Sequence, residues 1–285
     1  MNRDISKPAQ KNQVRCIQQQ FWSSQTLPYL KIRTTVNSCV AYKAHCHEEL
    51  SLGVLFEGQT CLSSGNIDKV LKARQSIFIA PNQVHACNPI NGGSRSYHML
   101  YIDKSWCLDV LECEQPEYEL IVKPNASDAV DRTRLLSLID SLINDGSAGS
   151  INRLDNYLKK LIFKSISVNK PSLASSQLAL NVRQLLLSDI VTPPSVEALA
   201  HNIGRPVESV IRSFKREYGM TPKAFLNNIR VEQAKHLLRD GGNIVDVALD
   251  VGFSDQSQFH KAFVHYTAST PGQHKTSTSI FDNNV

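Results

Sequence analysis

The sequence predicts an α+β protein of more than one domain, with a β-rich N-terminal part and an all-α C-terminal part. Short apolar runs separated by Gly, Asn and Pro fill residues 26–103, which is typical of strands and turns. From Ser127 onward, apolar residues instead recur at three- and four-residue spacing, as they do in amphipathic helices. A chain of 285 residues is long enough to build a separate core for each part.

The composition is that of an ordinary globular protein, with 41% hydrophobic and 20% charged residues. A net charge of +5 is mildly basic and compatible with a nucleic-acid partner. The polar N-terminus lacks the apolar core of a signal peptide, and no run approaches the ~20 apolar residues of a membrane helix. We therefore expect a cytoplasmic protein. The seven cysteines include no C-x-x-C pair, which favours reduced thiols.

The β-rich part is expected to span residues 21–126, after a flexible tail at 1–20. Its clearest apolar runs are residues 50–56, 76–80 and 96–102. Several short strands of this kind, closely spaced and joined by turn residues, favour a small barrel or a sandwich.

Two amphipathic helices are predicted within residues 127–168. Residues 145–150 break the helical pattern, and 151–168 repeat it. The small, polar segment 169–177 contains proline and is interpreted as a linker. The apolar stripe of the first helix consists of Leu135, Leu138, Ile139 and Leu142.

The C-terminal part, residues 178–275, contains a helix-turn-helix pattern in the stretch 243–271. Asn243 is expected to cap the first helix, and Gly252 to supply the left-handed residue of the turn. Ser254 is expected to cap the second helix. The last ten residues, 276–285, are expected to fray.

The same pattern occurs about fifty residues upstream. Ser195 caps a helix there, a turn follows at Gly204, and Pro206 opens the next helix. Thr221, followed by proline, begins the helix that connects the two units. Two such units can place recognition helices in successive major grooves, roughly 34 Å apart. The expected core positions of the connecting helix are Phe225, Ile229, Ala234 and Leu237.

The outward faces of both recognition helices carry side chains suited to base edges and phosphates. Arg212 is the first choice for a base contact, because Arg can donate two hydrogen bonds to guanine. Gln256 can pair with adenine in a similar way. Lys215 and Arg216 suit phosphate contacts, which fix the register on DNA. The predicted DNA-binding set is Glu208, Ile211, Arg212, Lys215, Arg216, Gln256, Ser257, His260 and Lys261.

Residues 178–275 resemble the DNA-binding domain of the AraC family of bacterial transcription regulators, most closely in the run GFSDQSQFHKAF followed by TP. The chain departs from the family pattern at Pro206, where a capping Ser or Thr is usual, and at Ala268, where glycine is usual. The resemblance implies binding to a double-stranded operator and activation through RNA polymerase. It also implies a homodimer formed through the helices after the barrel, for which we assign Leu135, Leu138, Ile139 and Leu142; the alternative is that these helices only pack on their own barrel.

The N-terminal part carries an H-x-H pair and a later P-x-x-x-H segment, which resemble the two motifs of cupin barrels and of the cupin-type effector domain of AraC-family proteins. In an extended chain His45, His47 and Glu49 share one face. The resemblance implies that these residues and His85 lie near a pocket for a small-molecule effector. The fold class is thus a cupin-like β-barrel, dimerisation helices and a tandem helix-turn-helix domain.

Two alternatives remain open. Three histidines and a carboxylate can hold a metal ion, which would make the barrel an enzyme or a metal sensor. The position of Glu49 differs from the usual metal-binding cupin pattern, and sensor domains of this family generally work without a metal. Cys46 and Cys87, beside the histidines, could instead form a thiol switch. We predict an effector-controlled, DNA-binding regulator that is not an enzyme, with no metal, no cofactor and no membrane contact.

Overall fold

The computed structural model describes residues 18–170, 176–276 and 279–280. Most of the two predicted tails and of the predicted linker therefore lies outside the described residues. Within them, Gln18 begins a strand, and the pair Ser279–Ile280 runs parallel to it through Phe21 and Trp22. Both predicted tails, 1–20 and 276–285, are therefore too long, because Gln18 and the pair Ser279–Ile280 belong to the sheet.

The N-terminal part is a β-rich, cupin-like domain of antiparallel strands. Its sheet runs in the order β1-β2-β7-β3-β4, and β5 and β6 also pair with β3. These strands are β1 (Gln18–Ser23), β2 (Leu30–Ser38), β3 (Leu50–Ser64), β4 (Ile67–Lys72), β5 (Ser76–Ile79), β6 (Ala86–Pro89) and β7 (Arg95–Ile102).

Strand β3 organises the sheet, because its first half pairs with β7 and β5 and its second half with β4 and β6. The register with β7 shifts between Leu55 and Glu57, at the bend between the halves. Gly58 follows with φ of +76°, and a Cβ there would lie 2.2 Å from the carbonyl oxygen of Ser94. The bend therefore requires glycine at this position.

Arg95 joins three segments of this domain from the inside. Its guanidinium donates to the carbonyl oxygens of Ser38 (3.2 Å), Val40 (3.1 Å) and Cys87 (2.8 Å), and the residue is 1% exposed. Three carbonyl acceptors use most of the fork of donors that Arg presents. Arg95 is thus a structural element of this domain.

A helical layer follows the barrel. The first helix, of seven residues, has no counterpart in the sequence prediction, because two turns are too short to show a clear periodicity. The predicted helix end at 168 is wrong: the helix ends at Ser165, and the β-branched run after it pairs as a strand with residues 119–122. The elements are α1 (Lys104–Val110), β8 (Glu119–Val122), α2 (Arg132–Asp145), α3 (Ala148–Ser165) and β9 (Ile166–Asn169).

The apolar stripe of α2 faces the chain's own barrel. Its four side chains are between 0% and 8% exposed and belong to one core with barrel residues such as Leu30 and Ile102. This corrects their assignment to a dimer contact, because a second chain could reach them only if α2 left its own core. The stripe consists of Leu135, Leu138, Ile139 and Leu142.

The C-terminal part is all-α, and both predicted helix-turn-helix units are present. No helix in the described ranges combines the length and hydropathy needed to cross a bilayer. The helices are α4 (Gln177–Ser188), α5 (Val196–Ile203), α6 (Val207–Tyr218), α7 (Pro222–Arg239), α8 (Ile244–Asp250), α9 (Gln256–Thr267) and α10 (Pro271–Thr276).

The helix starts follow from local capping chemistry. Asn243 and Thr221 cap α8 and α7 as predicted, through side-chain oxygens that accept backbone N–H groups of the first turn. The predicted Ser254 cap is wrong. Asp255 caps α9 by accepting from the N–H of Gln258 at 2.7 Å, whereas Ser254 donates to Asp255. A carboxylate is the stronger acceptor for the free N–H groups at the positive end of a helix. Pro206 occupies the N-cap of α6 without a side-chain hydrogen bond.

The core positions of α7 differ in part from those expected. Phe225 and Ala234 are buried, but Ile229 and Leu237 are only half-buried, and Val231 and Leu238 take their places at 0% and 1% exposure. The reason is that α7 packs against both helix-turn-helix units and the barrel, so it has no single apolar face from which to read the pattern.

The barrel and the helical domain dock through hydrogen bonds as well as apolar contacts. The N–H of Lys43 donates to the carbonyl oxygen of His265 at 2.9 Å. Buried Asn228 of α7 accepts from the N–H of Cys46 at 3.3 Å and donates to its carbonyl oxygen at 2.8 Å. Ala268, at φ +51°, packs with Val40 of the barrel region. The docked surface thus includes the segment that carries the H-x-H pair.

Candidate functional site

The structure brings together the three histidines that the sequence singled out. The backbones of His45 and His85 form an isolated antiparallel bridge with hydrogen bonds of 3.0 and 2.9 Å. Their ring centroids lie 4.5 Å apart, and that of His47 lies 5.1 Å from that of His85. One ring nitrogen of each histidine lies within 4.8 Å of the others. The cluster is therefore built by pairing two loops more than thirty residues apart.

Burial keeps these imidazoles neutral. It lowers the pKa of His45 and of His47 well below the usual range, and the neighbouring His85 lowers both further. The pKa of His85 is lowered by burial as well. The Nδ1 atom of each ring lies 2.8–3.2 Å from a backbone carbonyl oxygen two residues away. Because a carbonyl can only accept, each Nδ1 carries the proton and each Nε2 keeps its lone pair.

Glu49, the fourth predicted effector residue, lies apart from the histidine cluster. Its carboxylate is 3.8 Å from the ammonium of Lys31 on β2, and both side chains are partly exposed. It faces a cavity between the barrel and the helical domain, which the rings of His45 and His47 also line. The four predicted residues thus lie along one continuous surface, but the carboxylate is not placed with the three rings.

The interdomain cavity encloses about 980 Å³, a volume that includes the solvent at its open mouth. Four cationic side chains and two carboxylates line it, together with the aromatic residues Phe21 and Tyr266. Sequence reasoning missed most of these residues, because the two halves of the wall are about two hundred positions apart. The charged residues of the wall are Lys31, Arg33, Glu49, Glu232, Lys235 and Arg239.

Arg33 connects this cavity to the interior of the barrel, because it lines both. Its guanidinium donates to the hydroxyl of Tyr97 at 3.2 Å and lies 5.6–5.8 Å from the ring centres of Tyr42, Tyr97 and Tyr101. Its buried Nε–H has no hydrogen-bond acceptor among the described residues. The barrel interior is thus polar on one side and includes a cation that lacks a carboxylate partner in the described chain.

The thiols beside the histidines are poorly suited to redox sensing. Burial raises the pKa of Cys46 to about 12 and that of Cys87 to about 11. The thiolate is the reactive form of cysteine, so both thiols remain protonated and slow to react near neutral pH. The structure therefore gives no support to the thiol-switch alternative at these two positions.

The predicted DNA-contacting side chains lie on the outer faces of α6 and α9. Arg212, Lys215 and Arg216 are exposed, and the buried face of α6 is formed by Val210 and Phe214. On the same helix Glu208 is exposed and Ile211 is half-buried. On α9, near the turn, three members of the set are exposed and His260 is half-buried; the exposed ones are Gln256, Ser257 and Lys261.

Two protein-family models match the chain. The model described as an AraC-like ligand binding domain matches residues 39–156, and the model described as a helix-turn-helix domain matches residues 199–277. The two matches together cover most of the chain and fall on the barrel with its helical layer and on the all-α part.

Similar proteins include transcription regulators of several bacteria. The HTH-type regulator YbfI of Bacillus subtilis is 24% identical over 231 residues, which are 75% of this chain and 79% of that protein. The activator RhaS of Escherichia coli is 28% identical over 109 residues, which are 38% of this chain and 39% of RhaS. The chain therefore spans most of the first relative but less than half of the second.

Crystal structures of ToxT from Vibrio cholerae share the fold. An apo ToxT variant superposes with a TM-score of 0.54 at 14% identity, over 87% of this chain and 97% of that chain. Wild-type ToxT with a bound unsaturated fatty acid gives a TM-score of 0.53 at 14% identity, over 91% and 97%. The barrel, the helical layer and the helix-turn-helix domain are thus found together in a solved protein.

Proposed function

Because the chain belongs to the AraC family of transcription regulators, we propose that a small organic anion, bound between its barrel and its DNA-binding domain, controls how it binds DNA. The protein is a DNA-binding transcription regulator with an N-terminal ligand-binding domain. The observation that carries the proposal is the interdomain cavity, whose wall holds more positive than negative charge.

The charges in the cavity select the ligand class. Two of the cations are partnered: Lys235 lies 2.6 Å from Glu232, and Lys31 lies 3.8 Å from Glu49. Neither Arg33 nor Arg239 forms an ion pair with a described carboxylate; Arg239 lies 2.7 Å from the ring of His236, and Glu232 attracts it at longer range. Two guanidiniums without a close anionic partner favour a carboxylate, which each can bind through paired hydrogen bonds.

The apolar part of the wall specifies the rest of the ligand. The rings of Phe21 and Tyr266 can cover a hydrocarbon body, while the charged groups hold one polar end. ToxT, which shares the fold, has been solved with an unsaturated fatty acid bound. We therefore propose that the effector is an organic acid with an apolar body.

Such a ligand would act on DNA binding through α7. One wall of the cavity consists of Glu232, Lys235 and Arg239 on this helix, which connects the two helix-turn-helix units. A ligand that contacts the barrel and α7 together stabilises the docked arrangement relative to any other. If the docked arrangement holds the two recognition helices at a spacing unlike that of successive major grooves, the ligand weakens DNA binding; if the spacing matches, the ligand strengthens it.

The DNA contacts themselves are proposed on the exposed faces of α6 and α9. Arg212 and Gln256 are assigned to bases, and Lys215, Arg216 and Lys261 to phosphates. We further propose a non-enzymatic regulator that acts in the cytoplasm, where its DNA is, and that contacts RNA polymerase. We place a homodimer contact on the outer face of the helical layer, where Phe163 is 67% exposed, because the stripe of α2 is buried.

The test is a panel of organic carboxylates, each compared with its neutral amide, in thermal-shift and DNA-anisotropy measurements. We expect a carboxylate to raise Tm and to change the affinity for DNA, and the amide to do neither. Arg33→Gln and Arg239→Gln should each weaken carboxylate binding by about 10- to 100-fold, the worth of one charge-assisted hydrogen bond. Lys69→Gln, at an exposed position of β4, removes the same charge and should change nothing. Equal binding of acid and amide would contradict the proposal.

A further inference from the structure

The histidine cluster has the features of a metal site, and we propose that His45, His47 and His85 bind a divalent transition-metal ion such as zinc. The inference is independent of the organic anion, since it rests on the rings and their hydrogen bonds alone. A neutral imidazole nitrogen is a ligand for zinc, copper, iron and nickel. Three such ligands leave at least one coordination position for water or another small donor.

The orientation of the rings is the first argument. Each Nδ1–H donates to a backbone carbonyl oxygen, that of Lys43 at 2.9 Å, Glu49 at 3.2 Å or Gln83 at 2.8 Å. This outer hydrogen bond is the one that metal-bound histidines in proteins make, because it fixes the tautomer and leaves Nε2 free for the ion. All three rings have it, although they come from two separate loops.

The second argument is that the inner side of the cluster lacks donors. Three Nε2 lone pairs are left without a proton, and the described chain brings only one hydroxyl to them, that of Ser51, 3.3 Å from His47. Acceptors gathered in a partly buried place are unfavourable unless a donor or a cation joins them. A metal ion would satisfy all three at once.

The geometry requires only a small adjustment. The ligand nitrogens lie within 4.8 Å of one another, and zinc with Zn–N bonds of about 2.0–2.1 Å would bring them to roughly 3.3 Å. Rotation of the side chains covers this difference, since the backbones are held by the His45–His85 bridge and by the N–H of Asn82, which donates to His47 at 2.8 Å. Of the two nearby cations, Lys235 is offset by Glu232, which lies 2.6 Å from it, whereas Arg33 has no carboxylate partner in the described chain.

The test uses cobalt(II) as a spectroscopic probe on the full chain after chelator treatment, with no carboxylate present. We expect one Co²⁺ per chain with Kd below about 10 µM, visible bands of a low-symmetry site, and displacement by Zn²⁺. No thiolate charge-transfer band should appear, because the ligands are nitrogens. Copper(II) bound to the same site should show hyperfine coupling to three nitrogens.

The variants separate this site from a surface site. His47→Ala and His85→Ala should each weaken Co²⁺ binding by at least about 100-fold, since loss of a ligand exceeds the effect of losing its outer partner. His201→Ala, at an exposed position on α5, should leave it unchanged. Circular dichroism and DNA affinity report folding. Absence of stoichiometric binding, fewer than three nitrogens on copper, or binding that survives both ligand variants would overturn the proposal.

Discussion

Asn228→Leu tests whether the docking of the two domains depends on one buried amide. The side chain of Asn228 is 1% exposed on α7 and forms hydrogen bonds with both the N–H and the carbonyl oxygen of Cys46. Leucine has nearly the same size but can neither donate nor accept. In the docked state the substitution would leave two backbone groups of Cys46 buried without partners.

The magnitude follows from these two groups. A buried backbone group without a partner costs about 1–3 kcal/mol, so the docked state loses about 2–6 kcal/mol. The loss cannot exceed the docking free energy, because separated domains expose the Cys46 peptide to water, which restores its hydrogen bonds. A loss of 2 kcal/mol already raises the open population about 30-fold. The folds of the separate domains should remain intact.

Hydrogen exchange of the backbone amide of Cys46 is the direct assay, since it reports local opening. We expect exchange at least about 30 times faster in Asn228→Leu, by the same free-energy relation. The matched control is Asn227→Leu, the neighbouring and half-exposed asparagine of the same helix, which should change exchange less than twofold by the same relation. An unchanged rate in Asn228→Leu, or an equal rise in the control, would refute the reasoning.

Three further predictions concern DNA, the backbone and pH. Arg212→Ala should weaken binding to a selected operator by about 1–3 kcal/mol and relax specificity at one base pair, measured by anisotropy; an equal loss on random DNA would show a phosphate contact instead. Ala268→Gly should change the free energy of unfolding in urea by less than about 1 kcal/mol, because relief of the left-handed conformation at φ +51° offsets the loss of a buried methyl, whereas Ala268→Val should cost more than about 2 kcal/mol. A large gain from glycine would show that the methyl contributes nothing. Burial lowers the pKa of His98 to about 4. Because the folded-state pKa is below the unfolded value near 6.5, this neutral histidine stabilises the fold above about pH 6.5, and about 3 kcal/mol is lost as the pH falls to 4. His98→Gln should flatten the urea-denaturation profile over that range, and an unchanged slope would exclude His98 as its origin.

The sequence alone determined the parts of the protein that depend on local chemistry. Apolar spacing and capping residues such as Asn243 and Thr221 indicated the helix-turn-helix units, because caps and amphipathic faces are properties of a few consecutive residues. The outward position of Arg212 followed in the same way. The H-x-H pair and His85 indicated one site, because strand alternation and a shared motif were enough to bring them near each other.

Only the tertiary structure decided which surfaces meet. The apolar stripe that includes Leu135 and Leu142 suited a partner chain and the chain's own barrel equally well, since periodicity identifies a face but not what covers it. Arg33 and Arg239 became part of one cavity through the docking of β2 against α7, and no local pattern connects positions so far apart. Asn228 carries no sequence signal either: its role depends on the Cys46 backbone, which lies 182 residues away along the chain. Long-range contacts of this kind are selected by the packing of whole domains.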